Sequence, residues 1–191
     1  MRTASIDRKT KETNISVKLD LDGEGCKVTT GIGFFDHMLT ALAVHGGFAL
    51  DLNAVGDLNV DAHHTVEDCG IVLGKAFNEA LGDKSGIVRY GSSFIPMDES
   101  LALAAVDVSG RPYLVFEAEF DDAMVGGFDS CLCEEFFRAL AINAGITLHI
   151  KLFYGSNTHH KIEAIFKAVA HALNTAVTRN GGGALSTKGV L

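Results

Sequence analysis

Several common features are missing from this 191-residue chain, and each absence narrows what it can be. Its four cysteines, Cys26, Cys69, Cys131 and Cys133, form no Cys-x-x-Cys pair, so they read as reduced, mostly buried thiols. No segment approaches the roughly 20 apolar residues of a membrane helix. The opening MRTASIDRKTKET has no apolar stretch suited to a signal peptide. Low-complexity tracts are absent, and 47% hydrophobic against 21% charged residues supports a full core, which leaves disorder only to the ends. A basic excess is absent too: 16 Lys and Arg against 24 Asp and Glu give a net charge of −8. Phosphate backbones attract basic patches, so a nucleic-acid surface is disfavoured, while a local cationic pocket for one small anion remains open. The expectation is a soluble cytoplasmic protein with neither nucleic acid nor membrane as partner. Its length suits one large domain or two small, tightly joined ones.

What is present is a pattern written twice. FFDHMLTALAVHGGFALDL (34–52) aligns with LCEEFFRALAINAGITLHI (132–150): Leu39 meets Phe137, Ala41-Leu42-Ala43 meets Ala139-Leu140-Ala141, and Gly47 meets Gly145. Further on, His63, His64 and Glu67 meet His159, His160 and Glu163, and Asn78 meets Asn174. In each half, alternating strand-like sequence (TNISVKLDLDG and KVTTGIG; SLALAAVDVSG and PYLVFEAEF) precedes a helix at about 35–45 or 133–144. A short strand and a long helix follow, the helix with apolar residues at i, i+3 and i+4, such as Ile162, Ile165, Phe166 and Val169. Asp61 is a candidate cap for the first long helix, and Asn157 or Thr158 for the second. The predicted fold is α+β: two duplicated halves, each an antiparallel sheet with two helices on one face, related by a pseudo-twofold axis. The first half-repeat is placed at 1–84 and the second at 85–191, ending in a Gly-rich tail.

Adjacent histidine pairs followed by Glu occur twice, in AHHTVED and THHKIEA. On a helix His63 and Glu67 are i and i+4 and share a face, as do His159 and Glu163, whereas His64 and His160 are rotated by about 100°. Each pair therefore points at two different places. Imidazole plus carboxylate without thiolate suits a divalent first-row metal with open positions rather than a structural zinc. His37 and its repeat partner Glu135 are further ligand types at matching positions. His45 has only Asn143 as its counterpart, and His171 reads as a residue of a solvated helix face. Arg89, Arg111, Lys167, Ser186, Thr187 and Lys188 are candidates for a phosphate or carboxylate pocket, though their spacing alone does not establish one. On the residues alone two readings stay open: a dinuclear metallohydrolase acting on a phosphate ester, and a metal-dependent assembly protein.

The set FFDHMLTALAVHGGF, DLNVDAHHTVEDCGI, PMDES, SGRPYLVFEAEF, EEFFRALAINAGITLH, NTHHKIEAIFKA and STKGVL resembles the imidazoleglycerol-phosphate dehydratases of histidine biosynthesis, over nearly the whole chain. The resemblance implies a hydro-lyase that converts imidazole glycerol phosphate to imidazole acetol phosphate by way of a metal-bound imidazolate and a diazafulvene-like intermediate. It implies two Mn2+ ions per active site, with His37, His63, His64, Glu67, Glu135, His159, His160 and Glu163 at ligand positions. Glu135 departs from relatives that carry His there, and the tail lacks the usual Ile-Pro before Ser186. By the same resemblance Arg89, Arg111, Lys167, Ser186 and Lys188, with His45 alongside, match phosphate-binding positions, and Glu12 matches a position near the substrate. His37, His63, Glu67 and His159 would also face the substrate, and Glu12, Glu67 and Glu163 are the candidate proton-transfer groups. The family's assembly implies a homo-oligomer, a 24-subunit cage with active sites between subunits, and the STKG tail implies a lid over bound phosphate.

Overall fold

The computed structural model describes residues 2–183, 185 and 186. The first half runs β1 (Thr3–Lys9), β2 (Thr13–Asp20), β3 (Cys26–Thr29), α1 (Gly33–Gly46), β4 (Ala49–Gly56) and α2 (His63–Leu81). The second runs β5 (Tyr90–Met97), β6 (Ser100–Asp107), β7 (Tyr113–Glu117), the short hairpin β8 (Met124–Val125) and β9 (Phe128–Asp129), α3 (Leu132–Ala144), β10 (Thr147–Tyr154) and α4 (Thr158–Val177). The expected division near residue 84 falls between α2 and β5.

Each half builds one four-stranded sheet, in the orders β1-β2-β4-β3 and β5-β6-β10-β7. The duplicated halves are therefore alike strand for strand, and only the β8–β9 hairpin has no counterpart. Three of the four strands alternate in direction, but β3 runs parallel to β4 and β7 parallel to β10. The sheets are mixed rather than wholly antiparallel, because the chain returns from β3 to β4 by way of α1 and from β7 to β10 by way of α3, and a crossover of that kind brings a strand back in the same direction. β1 has weaker alternation than its neighbours and is not among the strands read from sequence; its ladder to β2 defines it.

Alternation along β2 buries Ile15, Val17 and Leu19 on one face and leaves the other polar. The helices occupy the buried faces. α2 lies on β1 and β2 and against α3; α4 lies on β5 and β6 and against α1. Exchanging the halves turns the α2–α3 contact into the α4–α1 contact, as a pseudo-twofold arrangement requires. One continuous apolar core runs from Ala4 to Val177 through both halves. Its centre is aromatic: Phe136 packs edge-on to Phe35, and stacks on Phe166 at 5.4 Å between ring centroids. Each such fully buried side chain contributes about 1.5–3 kcal/mol. Among the described residues no helix is long and apolar enough to cross a membrane.

The close approach of α2 to α3 depends on small residues. A Cβ at Gly70 would lie 2.7 Å from the Phe136 carbonyl and 2.8 Å from Ala139 Cβ, both on α3. Gly70→Ala is expected to destabilise the protein by about 1–3 kcal/mol, the cost of overpacking a tight interior. A fall in the urea midpoint at fixed protein concentration is the check.

Candidate active site

Asn157 begins the site. Its side-chain oxygen accepts from the backbone N–H of His159 (2.9 Å) and His160 (3.3 Å), which starts α4 at Thr158. Asp61 does similar work for α2, accepting from His63 N at 2.8 Å. With α4 begun there, His159, Glu163, Lys167 and His171 recur every fourth residue and form one stripe. α1 packs against this helix and brings His37 and His45 to it.

His159 Nε2 lies 3.2 Å from Glu163 Oε2, and His37 Nε2 lies 3.5 Å from the same oxygen. The other Glu163 oxygen pairs with Lys167 Nζ at 2.7 Å. Burial would push the Glu163 carboxyl up, but the Lys167 ammonium and then His37 outweigh it and hold the group below its ordinary value. Phe34 presents its ring to His159, with centroids 4.9 Å apart. Farther along the stripe, His45 and His171 meet at 5.5 Å between centroids. His171 thus belongs to this seam, contrary to its reading as a residue of a solvated face; α1 supplies the partner that the spacing of α4 alone cannot reveal. Burial, with Lys167 and His171 nearby, lowers the pKa of His45, so the ring is neutral at pH 7.

Ligand atoms of His37, His159 and Glu163 all lie within 4.8 Å of one another, and no other such cluster of three occurs among the described residues. Two imidazole nitrogens and a carboxylate oxygen, with His37 half exposed, fit a divalent first-row cation that keeps open positions. The equivalent first-half set, His63, Glu67 and Glu135, is not gathered in this way. His63 lines a cavity of about 590 Å3 with Asp61, Asp129 and Cys131, and Glu135 lies 3.5 Å from the Arg138 guanidinium. Cys69 and Cys133 are buried and Cys26 and Cys131 exposed, so only two of the four match the reading as buried thiols. Burial raises the thiol pKa of Cys133 and of Cys69.

His64 and His160 point to acids of their own. His64 Nδ1 is 3.0 Å from Asp57, and His160 Nδ1 is 2.7 Å from Glu99. These carboxylates raise the pKa of both rings. Glu99 in turn is held far below the usual carboxylate range by His160 and by the N–H groups of Asn157 and Ser156. Neither Asp57 nor Glu99 is among the residues predicted for the site. Glu12 is exposed at the β1–β2 turn, and its charge acts on His64.

The cations fall in two places. Lys167 belongs to the seam. Arg89, which is buried, donates to both oxygens of Asp107 (2.7 and 3.2 Å), while the exposed Arg111 lies 3.4 Å from the same carboxylate. Arg89 also donates to the Leu185 carbonyl, which brings the tail beside this pair at the residue before Ser186. Thr187 and Lys188 lie outside the described residues.

Residues 30–173 match the family model described as imidazoleglycerol-phosphate dehydratase. Proteins of that name from Acetivibrio thermocellus and Lacticaseibacillus casei are each 58% identical, over 100% of this chain and 99% or 100% of theirs. The crystal structure of the Staphylococcus aureus imidazoleglycerol-phosphate dehydratase is 46% identical, covers 93% of this chain and 99% of its own, and superposes with a TM-score of 0.85. That from Pyrococcus furiosus is 40% identical over 97% of this chain and 100% of its own, with a TM-score of 0.86. Matched in sequence and fold along nearly its whole length, the chain belongs to the imidazoleglycerol-phosphate dehydratase family.

Proposed function

We propose that the protein dehydrates imidazole glycerol phosphate to imidazole acetol phosphate, a carbon–oxygen lyase step of histidine biosynthesis in the cytoplasm. The observation that carries this reading is the α1–α4 seam, where His37, His159 and Glu163 form a nitrogen and oxygen ligand set beside Lys167. Full-length membership of the family supports the choice of substrate.

The chemical difficulty lies in the substrate. The hydroxyl that leaves is on the carbon attached to the imidazole, and the proton that leaves is on the next, non-acidic carbon. Both bonds break, a carbon–carbon double bond forms between the two carbons, and the resulting enol relaxes to the ketone. His37, His159 and Glu163, with His63, Glu67, Glu135 and the outward rings His64 and His160, would hold two Mn2+ ions. Bound there, Mn2+ would place positive charge beside the ring nitrogens and favour the electron-rich form of the substrate's imidazole.

The chain's own groups divide the remaining work. One Glu163 oxygen faces two imidazoles and the other an ammonium, so this carboxylate is suited to holding charge rather than carrying a proton. The Glu12 carboxylate is exposed, makes no hydrogen bond among the described residues and is assigned to no metal, so it is the better candidate for proton transfer. Arg89, Arg111 and Lys167, with Ser186 and Lys188 of the tail and neutral His45 alongside, would bind the phosphate and position the reacting carbons. Arg89 and Arg111 already converge on Asp107. His64 and His160 diverge from the seam, which favours a homo-oligomer, a 24-subunit cage, in which neighbouring copies complete each site.

Manganese-loaded protein should form the ketone from imidazole glycerol phosphate, and a chelated sample should not. Release of inorganic phosphate instead would identify a phosphate-ester hydrolase, and binding of metal without turnover would favour an assembly role. Arg111→Ala should raise KM by about 10–100-fold, as expected for a lost charge-assisted hydrogen bond of about 1.5–3 kcal/mol. Its assembly size by light scattering should not change.

The Glu163–Lys167 pair gives a stability test in chelated buffer. A carboxyl whose folded pKa is depressed contributes stability above its unfolded value, near 4.5, and loses it as pH falls through the lower folded value. Lys167→Met should therefore be less stable than wild type by up to about 3 kcal/mol at neutral pH. The gap should close in acid, as measured by denaturant titrations across pH.

A further inference from the structure

The repeat identifies a pair of acids whose roles have diverged. Asp20 of β2 sits opposite Ala49, the first residue of β4, and Asp107 of β6 sits opposite Thr147, the first residue of β10. β2 and β6 have eight residues each, so Thr13 is the counterpart of Ser100, and both are buried. The residues just before them, Glu12 and Glu99, are then counterparts at equivalent hairpin turns.

Their surroundings differ. The Glu12 carboxylate makes no hydrogen bond among the described residues, and its charge acts on His64. Glu99 is tied at both oxygens: Oε1 accepts from the backbone N–H of Ser156 (3.0 Å) and Asn157 (2.7 Å), while Oε2 meets His160 Nδ1 at 2.7 Å. The backbone bonds fix Glu99 to the loop that begins α4, the helix carrying His160. In the first half a different residue does the same for His64: Asp57, just after β4, places Oδ2 3.0 Å from Nδ1. Its other oxygen is buried without a hydrogen bond among the described residues, so the His64 contact is what compensates its burial. Two unrelated positions have arrived at one arrangement on Nδ1, a carboxylate against the outward histidine, while the Nε2 of His160 also has the exposed Asp98 carboxylate 3.7 Å away.

An ionised carboxylate only accepts, so the Nδ1 opposite it must carry the proton, and a neutral ring then has its lone pair at Nε2. We propose that Asp57 and Glu99 are positioning residues that fix His64 and His160 as Nδ1–H tautomers with Nε2 presented to a metal outside the His37–His159–Glu163 cluster. This inference rests on the reading of His64 and His160 as metal ligands. Carboxylates that orient ligating imidazoles commonly govern metal affinity by about 10–100-fold.

The test measures metal affinity apart from turnover. Chelator-stripped wild type, Glu99→Gln, Asp57→Asn, His160→Ala and the Glu99→Gln/His160→Ala double variant are titrated with Mn2+, with the free ion followed by its electron paramagnetic resonance signal. In Glu99→Gln, an amide that keeps its oxygen on the N–H groups before α4 turns its NH2 to Nδ1 and forces the proton to Nε2. Glu99→Gln and Asp57→Asn should each weaken Mn2+ binding by about 10–100-fold. In the His160→Ala background, Glu99→Gln should cause no further loss. An equal loss with and without His160 would show that Glu99 acts only through the start of α4, and would overturn its proposed role. Asp57 holds no helix start, so Asp57→Asn keeps the test decisive if Glu99→Gln fails to fold; unchanged affinity in it overturns the proposal for His64. Wild type that binds no Mn2+ would sink the metal reading itself.

Discussion

A carboxylate buried at the seam of two helices must find compensating charge, and that requirement organises the chemistry of this molecule. Glu163 meets it with Lys167 on one oxygen and with His37 and His159 on the other. Three of these four groups come from α4 at four-residue intervals. The fourth arrives only because α1 is pressed against that helix by the aromatic core of Phe35, Phe136 and Phe166. The His37–His159–Glu163 cluster is thus a consequence of core packing, and changes in the phenylalanines beneath it act on the site without touching it.

The duplication shapes the molecule in two ways. It supplies a fold in which each half lends a helix to the other's core, so neither half buries its apolar face alone. It also supplies chemical positions in pairs, which then diverge. His37 and Glu135 occupy one such pair, and Glu12 and Glu99 another. The first half leaves Glu12 free and assigns Asp57 to His64. The second commits Glu99 to His160 and to the start of α4. A symmetric scaffold therefore carries, among the described residues, an asymmetric distribution of free and committed acids.

Much of this is legible in the residues alone. Four-residue spacing places His159 with Glu163, and the repeated blocks give two similar halves with two helices each. Other features are not legible, for identifiable reasons. The parallel pairing of β3 with β4 depends on where the chain re-enters the sheet after a helix, and strand alternation has no direction. β1 escapes a reading by alternation because its inward positions are Ala4, Ile6 and the charged Arg8, which pairs with Asp68, so its apolar period is short. His171 and Glu99 escape because their partners are distant in sequence: His45 on α1 for one, and for Glu99, in the β5–β6 turn, His160 at the start of α4.

The sequence by itself determined the periodicities, the helix starts at Asn157 and near Asp61, and the doubling of the histidine motif, because these depend on neighbours within a few residues along one chain. Tertiary structure alone decided which histidines share a carboxylate, which acids are free, and where the cations gather. Those outcomes follow from the crossing of α1 over α4 and from hairpin turns reaching other elements, contacts between residues far apart along the chain that local pattern does not encode.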